Sequence, residues 1–213
     1  MKIKLTLASA FLVMASGVQA ASYYAFNSQA GNATDVLIEN VNGSLSSGGI
    51  VAIGHFTGGA PSSSLANIAT TIGNFQLQTS TLTGAFNASL EGTFAGYYES
   101  AIVSGPQILA GNSLIGQGVY LFAGNAATLA ASTAWALVQV GTYIPDNPPL
   151  IVQYTANAKT AVTTPVSIVF GMVGSAANPL GGTSSTLQLV VPEPSAALLG
   201  AFGVLGLLRR RRN

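Results

Sequence analysis

Apolar and polar positions fall into short blocks along most of the chain, with Gly, Asn, Ser and Pro between them. In "NFQLQTST" (74–81), Phe75 and Leu77 alternate with Gln76 and Gln78, the two-residue period of a half-buried strand. Other blocks are continuous and rich in β-branched residues: "DVLIENV" (35–41), "GIVAIGHF" (49–56), "GVYLFAG" (118–124), "AWALVQVGTY" (134–143), "LIVQYT" (150–155), "VSIVFGMV" (166–173) and "TLQLVV" (186–191). With "ASLEGTFAGYY" (88–98) they make about nine strands, which predicts a mainly β chain folded as a β-sandwich. The expected core takes Phe75, Leu77, Leu121 and Trp135 from alternate strand positions. "NVNGSLSSGG" has the residues of a turn and should join the first two strands.

One block has another period. In "PSSSLANIATTIGNF" the apolar positions Leu65, Ile68 and Ile72 are spaced three and four apart. Ser63 or Ser64 precedes them as an N-cap and Gly73 follows as a stop, so a short helix is predicted between two strands. "NAATLAAST" (125–133) reads as a loop or a single turn, and no internal repeat is evident.

Two further apolar blocks lie at the ends. "MKIKLTLASAFLVMASGVQA" is a basic start, an apolar stretch and a small-residue finish. That order predicts a signal peptide over residues 1–20, removed by signal peptidase between Ala20 and Ala21, and a body secreted from the cytoplasm. After Pro194, the fourteen residues Ser195–Leu208 carry no charge, enough for a helix of about 21 Å against a bilayer core of ~30 Å. With Arg209, Arg210, Arg211 and Arg212 reaching the headgroups as a stop-transfer anchor, this block predicts a single C-terminal transmembrane helix. Such a helix would hold the chain transiently in the inner membrane, C-terminus inward, before it reaches the cell surface. Pro192 and Pro194 should keep "VPEP" extended and exposed outside it.

Pro192-Glu193-Pro194, then a short apolar block, then an arginine cluster closely resembles the PEP-CTERM sorting signal of Gram-negative bacteria. The resemblance implies that exosortase, a polytopic membrane enzyme, recognises Pro192, Glu193 and Pro194 and processes the tail. It also implies association with exopolysaccharide, biofilm or other cell-surface material. The implied organisation is a signal peptide (1–20), a β-rich extracellular domain (21–188) and the sorting signal (189–213). More weakly, "GVYLFAGNAATLAASTAWALVQVGTYIP" is similar to small β-rich domains found upstream of such tails.

Composition narrows the body's chemistry. The chain has 213 residues, 6% of them charged, and no cysteine, which excludes disulfides, thiolate metal sites and a Cys nucleophile. Between residues 21 and 191, Lys159 stands against Asp35, Glu39, Glu91, Glu99 and Asp146, a net charge of −4. Such a body cannot neutralise a phosphate backbone, so nucleic acid is not an expected partner. His55 is the sole histidine, and no G-x-S-x-G accompanies it, since "GNSLIG" has the wrong spacing. Glu91 and Glu99 share one strand face if that strand is unbroken, but eight residues span roughly 26 Å, too far for the paired carboxylates of a glycosidase at ~5–9.5 Å. Asp35, Glu39 and Asp146 are too scattered for a calcium loop. Tyr23, Tyr24, Tyr97, Tyr98, Tyr120, Tyr143, Tyr154 and Trp135 are candidates for stacking on sugar rings or for packing in the core. No catalytic residue, metal or cofactor is expected. The readings, in order, are a structural or adhesive surface protein, a secreted carbohydrate-binding module and an exported hydrolase.

Overall fold

The computed structural model describes residues 22–25, 36–84, 86–87, 92–98, 103–104, 111–143, 153–156, 168–179 and 181–193. Their strands are β1 (Ser22–Ala25), β2 (Leu37–Glu39), β3 (Ile50–Phe56), β4 (Phe75–Leu82), β5 (Phe86–Asn87), β6 (Gly92–Thr93) and β7 (Val103–Ser104). These are followed by β8 (Gly118–Gly124), β9 (Trp135–Thr142), β10 (Gln153–Ala156), β11 (Ile168–Phe170), β12 (Met172–Ala177) and β13 (Thr183–Gln188). A 3-10 turn, Leu65–Asn67, leads into the helix α1, Ile68–Asn74.

The centre is an antiparallel five-stranded sheet in the order β11-β9-β8-β3-β4. Both of its faces are covered, which is why β3, β8 and β9 read as continuous apolar runs rather than as alternation. On one face Val51, Ile53, Val119, Leu121, Ala136 and Val138 pack with Ile38 of β2 and with Leu187 and Leu189 at and beyond the end of β13. β2 and β13 belong to a second sheet, β12-β13-β2, in which β13 runs antiparallel to β12 and parallel to β2. On the other face Ile50, Phe56, Phe75, Tyr120, Phe122, Trp135, Leu137 and Phe170 form an aromatic-rich cluster. Leu65, Ile68 and Ile72, the predicted helical stripe, close it from outside. The architecture is therefore three-layered over the described residues: short helix, five-stranded sheet, three-stranded sheet. Two smaller sheets, β10-β1-β7 and β5-β6, complete the pairings.

Several expectations need correction. The chain is mainly β with one short helix, as expected, but the described residues form thirteen strands in four sheets rather than about nine in a sandwich. No helix among the described residues is long and apolar enough to cross a membrane. The expected C-terminal membrane helix, and the transient inner-membrane anchorage built on it, are therefore not supported by the described residues. Ser195–Leu208 and Arg209–Arg212 lie outside the described residues, as do Ala20 and Ala21 of the expected cleavage site.

The expected core placed Leu77 beside Phe75, Leu121 and Trp135. Phe75, Leu121 and Trp135 are buried, but Leu77 is 55% exposed. The cause is a β-bulge. Ile53 pairs with Thr79 and Gly54 with Leu77, so Gln78 is an extra residue on β4 and the alternation inverts there. "ASLEGTFAGYY" is not one long strand either: β6 covers only Gly92–Thr93, and the chain turns at Gly96, where φ is +82°. "VSIVFGMV" divides at Gly171 (φ +114°) into β11 of the central sheet and β12 of its neighbour.

Candidate functional site

The site arises from how β13 leaves the body. Leu187 and Leu189 are fully buried, and the Leu189 N–H donates to the Glu39 carbonyl at 2.8 Å. Val190 and Trp135 then exchange two backbone hydrogen bonds of 2.9 Å each, joining the second sheet to the start of β9. The next antiparallel pair of this ladder would set Pro192 opposite Thr133. Pro192 has no N–H to give, and the Thr133 N–H already donates to Asn125 Oδ1 at 2.8 Å. The ladder therefore ends at Val190. Val191 is exposed, Pro192 half-buried and Glu193 exposed, with none of the three in a helix or strand.

The anchoring side is built firmly. The Trp135 indole N–H donates to the Leu129 carbonyl at 3.0 Å, and Asn125 Oδ1 accepts from both Thr133 and Ala134. The "NAAT" loop, which holds no helix, is thus tied down by its own side chains. Beneath β13, the Glu39 carboxylate is buried and accepts a hydrogen bond from the Thr186 hydroxyl. Tyr97 donates to Asn178 Oδ1 at 2.8 Å, and Asn178 donates to the Ser184 hydroxyl at 2.7 Å. That buried chain fastens the turn after β6 to the β12–β13 hairpin.

Beside the exit lies an open groove of about 560 Å³. Val41, Leu65, Met172, Val190 and Val191 supply its apolar lining, and Glu193 its charge. The described residues include no lysine or arginine. Glu193 consequently has no lysine or arginine counterpart among the described residues.

The other candidate residues do not assemble into a reacting centre. His55 is buried on β3, with Nδ1 3.4 Å from Gln78 Nε2 and its ring edge-on to Tyr143 at 5.7 Å. Burial pushes the imidazole below its ordinary pKa. No group of three or more His, Cys, Asp or Glu among the described residues could hold a metal ion. Tyr97, Tyr98, Tyr120, Tyr143 and Trp135 are all buried, so none offers an open ring face to a sugar. The Tyr120 phenol is held above its usual pKa by the same desolvation. Asp35, Glu91, Glu99, Asp146, Lys159 and Pro194 lie outside the described residues, and of the side chains of Tyr23, Tyr24 and Tyr154 nothing is described.

Residues 190–212 match the model of the PEP-CTERM protein-sorting motif. The chain carries a PEP-CTERM sorting motif. Its first matched residue, Val190, is also, among the described residues, the last that backbone hydrogen bonds tie to the body. Motif and fold thus meet at one residue. The match supports an exosortase substrate destined for the surface or for secretion. No curated protein and no solved structure matches the chain. Sequence reasoning found the motif because Pro-Glu-Pro, an apolar block and an arginine cluster are legible in order. It missed the groove, whose lining comes from four separate stretches of chain.

Proposed function

We propose that this PEP-CTERM protein is a structural or adhesive component of the cell surface or extracellular matrix, and that its body performs no catalysis. In this reading residues 1–20 are a signal peptide cut by signal peptidase after Ala20. Residues 21–188 form the exported domain, and residues 189–213 are read by exosortase through Pro192, Glu193 and Pro194. The observation that carries the reading is the sorting motif at 190–212, set directly on the last bonded residue of a β-rich body. Support for a non-catalytic body comes from the buried states of His55 and Glu39 and from their separate partners, Gln78 and Thr186. Matrix polysaccharide is the proposed neighbour of the exported domain. The buried aromatics favour the structural reading over a carbohydrate-binding platform.

The test is to express the parent and Glu193→Ala in a host that makes exosortase, and to compare apparent mass and cell fraction. The parent should appear trimmed at the surface or in the medium, and Glu193→Ala should stay full-length with the cells. Equal trimming and release of the variant would remove the recognition role from Glu193. For the adhesive part, sedimentation of cells lacking the protein should change and be restored by the parent chain.

A further inference from the structure

We propose that the groove of Val41, Leu65, Met172 and Val191 is a docking face for the sorting enzyme, so that exosortase reads the body's surface together with the Pro-Glu-Pro strip. The inference rests on the sorting reading above.

Reach is the first argument. Val190 is held by two backbone hydrogen bonds, and Glu193 is three residues further on. At no more than ~3.6 Å per residue, Glu193 lies within about 11 Å of that anchor. An enzyme that encloses the glutamate side chain is brought against the body, because no spacer separates motif from fold.

The character of the meeting surface is the second. Val41 is 47% exposed, Met172 52% and Val191 46%, and all three line the groove that Glu193 also lines. The described large apolar side chains with comparable exposure otherwise comprise Leu77, Leu82 and Val173. Half of this set therefore gathers at the exit, where an apolar patch rimmed by polar groups marks an interaction surface. Ser63 and Ser64 are the neutral polar side chains of the lining, too few for the dense hydrogen bonding a polysaccharide needs. A protein face that is apolar, with a cation placed for Glu193, fits both features.

The experiment uses the full chain in a host with exosortase, and follows conversion to the trimmed form by pulse-chase. Val41→Asp combined with Met172→Asp changes two half-exposed positions. Its folding is checked by an unchanged urea midpoint and unchanged Trp135 fluorescence. At native spacing the aspartates should slow conversion about ten-fold, the size of effect expected when apolar contacts at an interface centre are lost. A second pair of chains carries about twelve Gly/Ser residues between Val191 and Pro192, enough to move the motif up to ~40 Å away. In that pair the aspartates should have no effect, because the enzyme no longer meets the body. Conversion within two-fold of the parent at native spacing would overturn the docking face, as would equal slowing with and without the spacer. Glu193→Ala, run alongside with Val41 and Met172 unchanged, reports on the sorting reading separately. Parental trimming of that variant would remove the premise, whatever the aspartates do.

Discussion

Thr186→Val is the sharpest probe of what holds the body together at the tail's exit. The Thr186 hydroxyl donates to the Glu39 carboxylate, and both residues are buried, with Glu39 6% and Thr186 0% exposed. Valine keeps the β-branched shape and removes only the donor. A hydrogen bond to a charged group contributes about 1.5–3 kcal/mol, and a buried acceptor left without it bears its own desolvation cost. With thermal midpoints moving ~2–4 °C per kcal/mol in domains of this size, the variant should melt about 3–12 °C lower. Urea denaturation followed by Trp135 fluorescence gives the free energy, and circular dichroism the midpoint. Glu39→Leu alone should also destabilise, because it strands the hydroxyl. The double variant should recover much of either loss, since replacing both partners of a buried pair with apolar groups is nearly neutral. If Thr186→Val stays within about 0.5 kcal/mol of the parent, the Glu39–Thr186 pair does not support the tail's exit. If the double variant merely sums the single effects, the two side chains do not act as a pair.

His55 should make stability depend on pH. Its folded-state pKa is lowered by burial, so the unfolded chain binds the extra proton more readily. The stabilisation is complete above the unfolded value of about 6.5 and is lost as pH falls from there through the folded value; urea midpoints in that window should fall in the parent and stay flatter in His55→Gln. Gly96→Ala places a Cβ 3.0 Å from Leu37 Cβ and 3.1 Å from Leu45 Cδ2 at a φ of +82°. It should cost more than ~1 kcal/mol in the same denaturation assay. Trp135→Phe removes the donor to the Leu129 carbonyl and should cost about 1 kcal/mol, read from the circular-dichroism melt because the chain has a single tryptophan.

Much of the body was legible because its signals are local. The β-branched runs of β3, β8 and β9 and the Leu65, Ile68, Ile72 stripe depend on residues a few positions apart, and each element forms close to its expected limits. The Pro-Glu-Pro strip, the apolar block and the arginine cluster were legible for the same reason, as a linear motif whose parts are read in order along the chain. Proline at 192 even carries its structural consequence within itself, since a residue without an N–H ends a ladder wherever the ladder lies.

The remainder depended on partners distant in sequence. Nothing near Leu77 announces the bulge at Gln78, because the register is set between β4 and β3, more than twenty residues apart. "VSIVFGMV" reads as one strand until Gly171 must pass within reach of Ala136 and the Gln188 carbonyl and turn from one sheet to the next. In the sequence Glu39 is only one of three acids too scattered for a calcium loop, yet it lies buried against Thr186, 147 positions away. The apolar block after Pro194 and its arginines suggested a membrane helix, and they lie outside the described residues. By itself, the sequence determined the main strands β3, β8 and β9, the short helix and the sorting motif at 190–212, since local spacing specifies each. Only the tertiary structure decided which faces are buried, where the ladder stops and what surrounds the exit of the tail, because those are settled by long-range pairing and by competition for buried space.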